Sequence, residues 1–299
     1  MRIVTRDEHE AALSALARDI ADPREGIFGP RSLAWQLGGD LAVFLGGGRA
    51  ALLQIAHPAV AYAVDQHSRA RADIVGRFQR TFRAVFAMAF GELEDAFAAA
   101  RRVHAIHTRI HGTMPDGRPY HANDAESLRW VYATLVDTVI AVRERLDGAL
   151  PLATKDAFIV EQNRFAALFG IPRALLPLGY GDHSAYMTRM FDQLEVAPCA
   201  REMARFLLGR GAGAQPPLGR LAEALTAALL PPSLTAQFGL ARSDLLARAA
   251  FAVLAPLPHI PIPARAEALR RLRGQPPRRF DAWMERQLFG LSRQVTGMR

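Results

Sequence analysis

Between Leu93 and His111, the residues Leu93, Phe97, Ala100, His104, His107 and His111 follow one another at alternating intervals of four and three. At about 100° per residue this spacing keeps all six on one side of an α-helix, while Glu94, Arg101, Arg102 and Arg109 fall on the other. The same period runs through most of the chain. No run of alternating or β-branched residues bounded by turn signals is present to build a sheet. The pattern therefore predicts an all-α, multi-helical protein, with helices over roughly 7–20, 31–45, 50–64, 73–89, 92–111, 124–147, 153–169, 183–194, 198–209, 217–230, 242–254, 262–273 and 279–291. Turn chemistry separates them. Met114 to Tyr120, with Pro115, Asp116, Gly117 and Pro119, predicts a tight loop, and Asp124 an N-cap for the helix that follows. Gly209 to Pro217 is the best linker. The remainder, 218–299, is broken by Pro231, Pro232, Pro256, Pro258, Pro261 and Pro263, so the expectation is one domain over 1–299 with a C-terminal helical subregion.

Buried imidazoles demand partners. Each ring nitrogen taken from water needs a hydrogen bond or a metal, and three in one apolar stripe raise that demand. Haem iron would meet part of it. A non-haem metal on His104, His107 and His111 is a second reading, although only His107 and His111 have the four-residue spacing of a helical metal pair and no carboxylate accompanies them. Core histidines satisfied by hydrogen bonds are a third.

Composition narrows the function classes. The chain has 299 residues, half of them hydrophobic, enough for a substantial core. Its formal charge of +8 is carried almost wholly by arginine, since Lys155 is the one lysine. Those arginines are scattered, without interleaved aromatics, so no nucleic-acid partner is expected. Cys199 is the sole cysteine, which excludes an intramolecular disulfide or a multi-cysteine metal site. Met1 to Ile20 has no uninterrupted apolar core of a signal peptide, and Leu41 to Leu53, broken by Gly46, Gly47, Gly48 and Arg49, falls short of the ~20 residues of a membrane span. A cytoplasmic protein without stable membrane insertion is expected. No Gly-x-Ser-x-Gly elbow is present, so hydrolysis has little support.

Several blocks in order carry a family resemblance: Gly46-Gly47-Gly48-Arg49 through His57-Pro58, Asp65-Gln66-His67-Ser68-Arg69, Gly76-Arg77-Phe78-Gln79-Arg80-Thr81, Arg102-Val103-His104-Ala105-Ile106-His107, Pro115 to Tyr120 and Trp130 to Asp137. Together they span 46–137, with weaker likeness to Pro232. The chain resembles the oxygenase-like family that includes the bacterial latex-clearing proteins and the MpaB oxygenase of mycophenolic acid biosynthesis. That resemblance implies an all-helical, globin-like fold and, in the rubber-cleaving members, a b-type haem and dioxygen-dependent cleavage of a carbon–carbon double bond. It places the proximal iron ligand at His107, flanked by His104 and His111 where arginines are common in the family. It also matches Arg77 and Thr81, whose four-residue spacing puts them on one helix face, where an arginine facing an apolar pocket would pair with a haem propionate or a substrate acid.

Departures from the family pattern bear on the chemistry. The rubber-cleaving members carry a lysine just before the matched threonine, whereas this chain has Arg80, a poor iron ligand because guanidinium stays protonated. No equivalent of their distal glutamate is evident. Tyr132 stands where relatives often carry histidine. His57 and His67 bracket a helix end and are candidates for the distal pocket or for hydrogen bonds between helices. The leading expectation is a haem-b oxygenase acting on a small, largely apolar substrate with dioxygen or peroxide, with Arg77, Arg80, Thr81 and His57 as catalytic candidates and His107, Arg77, Thr81, His104 and His111 as cofactor-binding ones. The alternatives are a non-catalytic haem or small-ligand binding protein and the non-haem metal enzyme.

Overall fold

The computed structural model describes residues 1–67, 74–210, 215–254 and 260–275, with side chains described throughout these except at 74–79. The described residues form α1 (Arg6–Arg18), α2 (Leu33–Gly38), α3 (Gly47–Ala56), α4 (Pro58–His67), α5 (Ile74–Phe90), α6 (Leu93–His107), the strands β1 (His111–Thr113) and β2 (Pro119–His121), α7 (Ala125–Asp147), α8 (Leu152–Ala167), α9 (Tyr180–Gln193), α10 (Pro198–Leu207), α11 (Pro217–Leu229), α12 (Pro232–Gln237), α13 (Asp244–Val253) and α14 (Pro263–Leu272). The all-α expectation holds. Its one exception is the antiparallel hairpin β1–β2, with His111 opposite His121.

Local chemistry sets many of the boundaries. Thr5 and Glu8 close a capping box at the start of α1, and the Asp124 carboxylate accepts the Ser127 N–H to start α7. His57 precedes a proline and takes an extended conformation, so the helix expected over 50–64 divides into α3 and α4. The helix expected over 31–45 is interrupted as well. The Asp40 side chain accepts the Ala42 N–H and starts a separate 3-10 segment, Leu41–Gly46, in place of continuing α2. α12 lies in a proline-rich stretch and escapes the periodicity altogether, whereas the helix expected over 279–291 and part of the Gly209–Pro217 linker lie outside the described residues.

α7 is the axis of the molecule. Trp130, Tyr132, Ala133, Val136 and Ile140 are buried in the main core, and the Trp130 indole N–H donates to the Leu53 carbonyl of α3 at 2.9 Å. Arg49, 4% exposed, crosses between helices. Its guanidinium donates to Asp137 at 2.5 Å and to Thr138 Oγ1 at 2.8 Å on α7, and to the Leu229 carbonyl ending α11 at 2.7 Å. The second Asp137 oxygen meets His183 Nε2 of α9 at 3.3 Å. Burial alone would raise the Asp137 carboxyl, but hydrogen bonds and charge from His183 and Arg49 outweigh it and hold it below the usual carboxylate range. Nearer the C-terminal end of α7, Arg143 is paired with Asp40 and donates to the Leu37 carbonyl at 2.6 Å.

The glycines before Arg49 let these helices approach. A Cβ on Gly48 would stand 2.0 Å from Thr226 Oγ1 of α11, and one on Gly46 would stand 2.4 Å from Thr138 Cγ2 of α7. Gly48→Ala is expected to lower the unfolding free energy by about 1–3 kcal/mol in urea titrations. Gly38→Ala, whose Cβ would meet nothing within 4 Å, is the control that carries no such penalty. Asp137→Ala leaves a buried guanidinium without its carboxylate and should cost about 3–5 kcal/mol, with Arg49→Met in the same chain recovering part of that loss in a double-mutant cycle.

Candidate functional site

α6 ends at His107, one turn short of the expected stripe. The Thr108 N–H and hydroxyl both bond back to the His104 carbonyl, and buried Asn123 donates its amide to the same carbonyl at 3.1 Å. The chain then turns into β1, whose pairing with β2 is closed by a loop with Gly117 at φ +84°. His111 therefore lies off the helix. It is exposed on β1 and stacks on His121 across the hairpin, with ring centroids 5.8 Å apart and planes at 11°. The expectation that His104, His107 and His111 share one face fails at this residue. Among the described residues no three histidine, cysteine or carboxylate side chains are arranged to hold a metal ion, so the non-haem reading loses its ligand set.

The remaining two histidines gain a partner that the stripe does not contain. His9 of α1, 1% exposed, stacks on His104 with centroids 4.4 Å apart and planes at 12°, and its Nε2 meets the Leu168 carbonyl at 2.9 Å. His107 is half-buried beside them. A cleft lined by His9, Val103, His104, His107, Asn123 and Phe169, among others, holds about 150 Å³ of non-atom space, open solvent included. Burial pushes the His9 and His104 imidazoles below the ordinary value of 6.5. Both are neutral at pH 7. The signal for His9 was present in the sequence: His9, Leu13 and Leu16 form the buried face of α1 at intervals of four and three.

The other candidates scatter around this end of the molecule. His57 caps α3, its Nδ1 is buried without a hydrogen-bond partner among the described residues, and burial lowers its pKa. His67 Nε2 lies 2.9 Å from the His111 carbonyl and 3.1 Å from the Tyr120 hydroxyl, which itself donates to Gln66, so His67 ties α4 to the hairpin. Arg80 and Thr81 are on the exposed side of α5, and the Arg77 side chain lies outside the described residues. Tyr132 is committed to Asn163 at 3.1 Å, and burial pushes its phenol far above the ordinary value, so it holds its proton.

Residues 35–259 match the family model described as ER-bound oxygenase mpaB/B'/Rubber oxygenase, catalytic domain. The chain belongs to this family. Neither the curated proteins nor the solved structures contain a match to it. The match takes in His57, Arg77, Arg80, Thr81, His104, His107 and His111, and it leaves out α1. His9 thus enters the histidine cleft of this oxygenase-family member from outside the matched domain. Among the described residues no helix is long and apolar enough to cross a membrane.

The His9–His104 stack has a direct pH consequence. Both imidazoles have lowered pKa values in the fold, so their contribution is fully present above the ordinary 6.5. It is lost as pH falls below that value, because the unfolded chain takes up protons that the buried rings refuse. Urea midpoints measured at about pH 7 and about pH 5 should therefore fall more in the unaltered chain than in His104→Phe, which keeps a stacked ring without a titrating nitrogen.

Proposed function

We propose that this protein is an oxygenase that acts on a small, largely apolar substrate with dioxygen, and that His107 is its ligand for the iron of haem b. The observation that carries the reading is the family match over 35–259; it is supported by a half-buried imidazole at the end of α6, His107, where the sequence resemblance puts a proximal ligand. The neighbouring rings of His9 and His104 are neutral, so no imidazolium stands beside His107 to repel a cation. Haem, when bound, supplies the oxygen chemistry; the chain's own groups orient the cofactor and the substrate.

Donor chemistry and space give different answers for this group. A neutral imidazole suits iron, but the space among these side chains does not hold even a water molecule, against the ~300–1,000 Å³ typical of cofactor pockets, and does not admit a porphyrin as described. Loading would require the His9 ring and the end of α6 to part. A guanidinium carries donors and no acceptor lone pair, so Arg80 is no substitute for the lysine of the rubber-cleaving members as an iron ligand. Polymer cleavage of the rubber-oxygenase kind does not follow from these residues.

Protein expressed with a haem precursor should show a Soret band that shifts on dithionite reduction, and His107→Ala, with unchanged far-ultraviolet circular dichroism, should lose it. A colourless protein that also fails to take up haemin would overturn the haem assignment. A haem spectrum without oxygen uptake on any apolar substrate would instead identify a binding protein.

A further inference from the structure

Asn123, 2% exposed, ties three parts of the chain together beside the histidine cleft. Its side-chain amide donates to the His104 carbonyl at 3.1 Å and to Thr108 Oγ1 at 3.3 Å, which fixes the end of α6 next to His107. Its carbonyl accepts the Val4 N–H at 2.8 Å and so holds the residues leading into α1. The Asn123 N–H donates to the ring of His121, the last residue of β2, with Nδ1 at 3.0 Å. A backbone amide can only donate, so Nδ1 supplies the lone pair and the proton of the neutral ring sits on Nε2.

That bond is conditional on charge. An imidazolium carries a proton on both nitrogens, so on protonation two N–H groups would face each other, and no rotation of the ring offers Asn123 another acceptor. A buried donor left in that state costs free energy until it turns away. We propose that His121 is a proton-operated latch: neutral, it seats Asn123 and with it the end of α6 and the lead-in to α1; protonated, it releases Asn123 and loosens both beside the cleft. The latch works without a cofactor and is independent of the haem assignment.

Several groups face the ring. His111 stacks on it from β1, His104 of α6 is near enough for the two rings to repel when charged, and Asp124 stands beside it at the N-cap of α7. α4, packed on β2, brings His67, engaged with the His111 carbonyl and the Tyr120 hydroxyl, and Asp65, whose charge acts on Tyr120. Burial and then the His111 charge lower the His121 pKa below the ordinary 6.5, and Asp124 opposes them. A base with a lowered pKa in the fold contributes stability that is present above 6.5 and lost as pH falls. The latch is therefore closed at neutral pH and opens in acid.

Hydrogen exchange on the full chain at about pH 7.5 and about pH 5, corrected for the intrinsic chemical rate, tests this. Peptides covering 104–112 should lose about tenfold in protection on acidification, while peptides of α11 keep theirs. His121→Asn offers a side-chain oxygen to the N–H two residues on, as asparagine does in turns, and takes up no proton, so its protection should be equal at both pH values. In His104→Phe, which removes titration at the other stack, the loss should persist. Nitrogen-15 spectra of the unaltered chain should show the Nε2–H tautomer of His121 at neutral pH. A proton on Nδ1 of the neutral ring, undiminished protection of 104–112 in acid, or an equal loss in His121→Asn overturns the latch. So does a loss that disappears in His104→Phe, which assigns the effect to the His9–His104 stack instead.

Discussion

A buried guanidinium shared among four helices is the constraint on which the rest of this structure depends. Arg49 enters from α3, takes its charge partner Asp137 and the Thr138 hydroxyl from α7, and caps the C-terminal carbonyl of α11; Asp137 in turn reaches His183 on α9. An unpaired charge in that position would cost several kilocalories per mole, so the four helices must arrive together or not at all. The glycines at 46 and 48 serve the same junction, because a methyl group at either would force α3 away from α7 or α11. The Gly46-Gly47-Gly48-Arg49 block is thus a packing device for an arginine.

The consequence for the candidate site is a rigid frame with histidines gathered at one end. α7 presents Leu128 and its N-cap Asp124 there, α6 ends there on His107, and the hairpin and α4 bring His67, His111 and His121. These imidazoles answer their burial mostly with one another and with backbone: a stack on His9, a stack across the hairpin, carbonyls of Leu168 and His111. Family membership places this chain among oxygenases, and the histidines at this end of α6 are its candidate site.

α1 has a double role in that arrangement. It lies outside the matched domain, yet His9 contributes the ring that stacks on His104 and lines the cleft of His107. The Glu10–Arg101 ion pair, at 2.9 Å, and the Val4–Asn123 backbone bond, at 2.8 Å, hold the same helix and the residues leading into it to α6 and the segment after β2. The surface pair is worth little by itself, so the buried stack and its neutral state decide how firmly α1 stays.

Periodicity alone determined the all-α class and most helices, because an amphipathic stripe is a local property that survives any reasonable packing. It also placed His104 and His107 on the inward face of α6, and the family blocks located the candidate residues in one stretch of chain. Where the stripe ended was a tertiary decision: no glycine or proline stops α6, and the 4-3 spacing runs on to His111, but Asn123 and the β1–β2 pairing claim the backbone first. The division at His57 was readable from Pro58, yet the neutral, orphaned state of its ring follows from burial between elements distant in sequence. His9 shows only as part of the apolar stripe of α1, and Asn123 and His183 carry no motif at all. They became site and core residues only because helices far apart in the chain meet at buried polar groups that had to be satisfied in place.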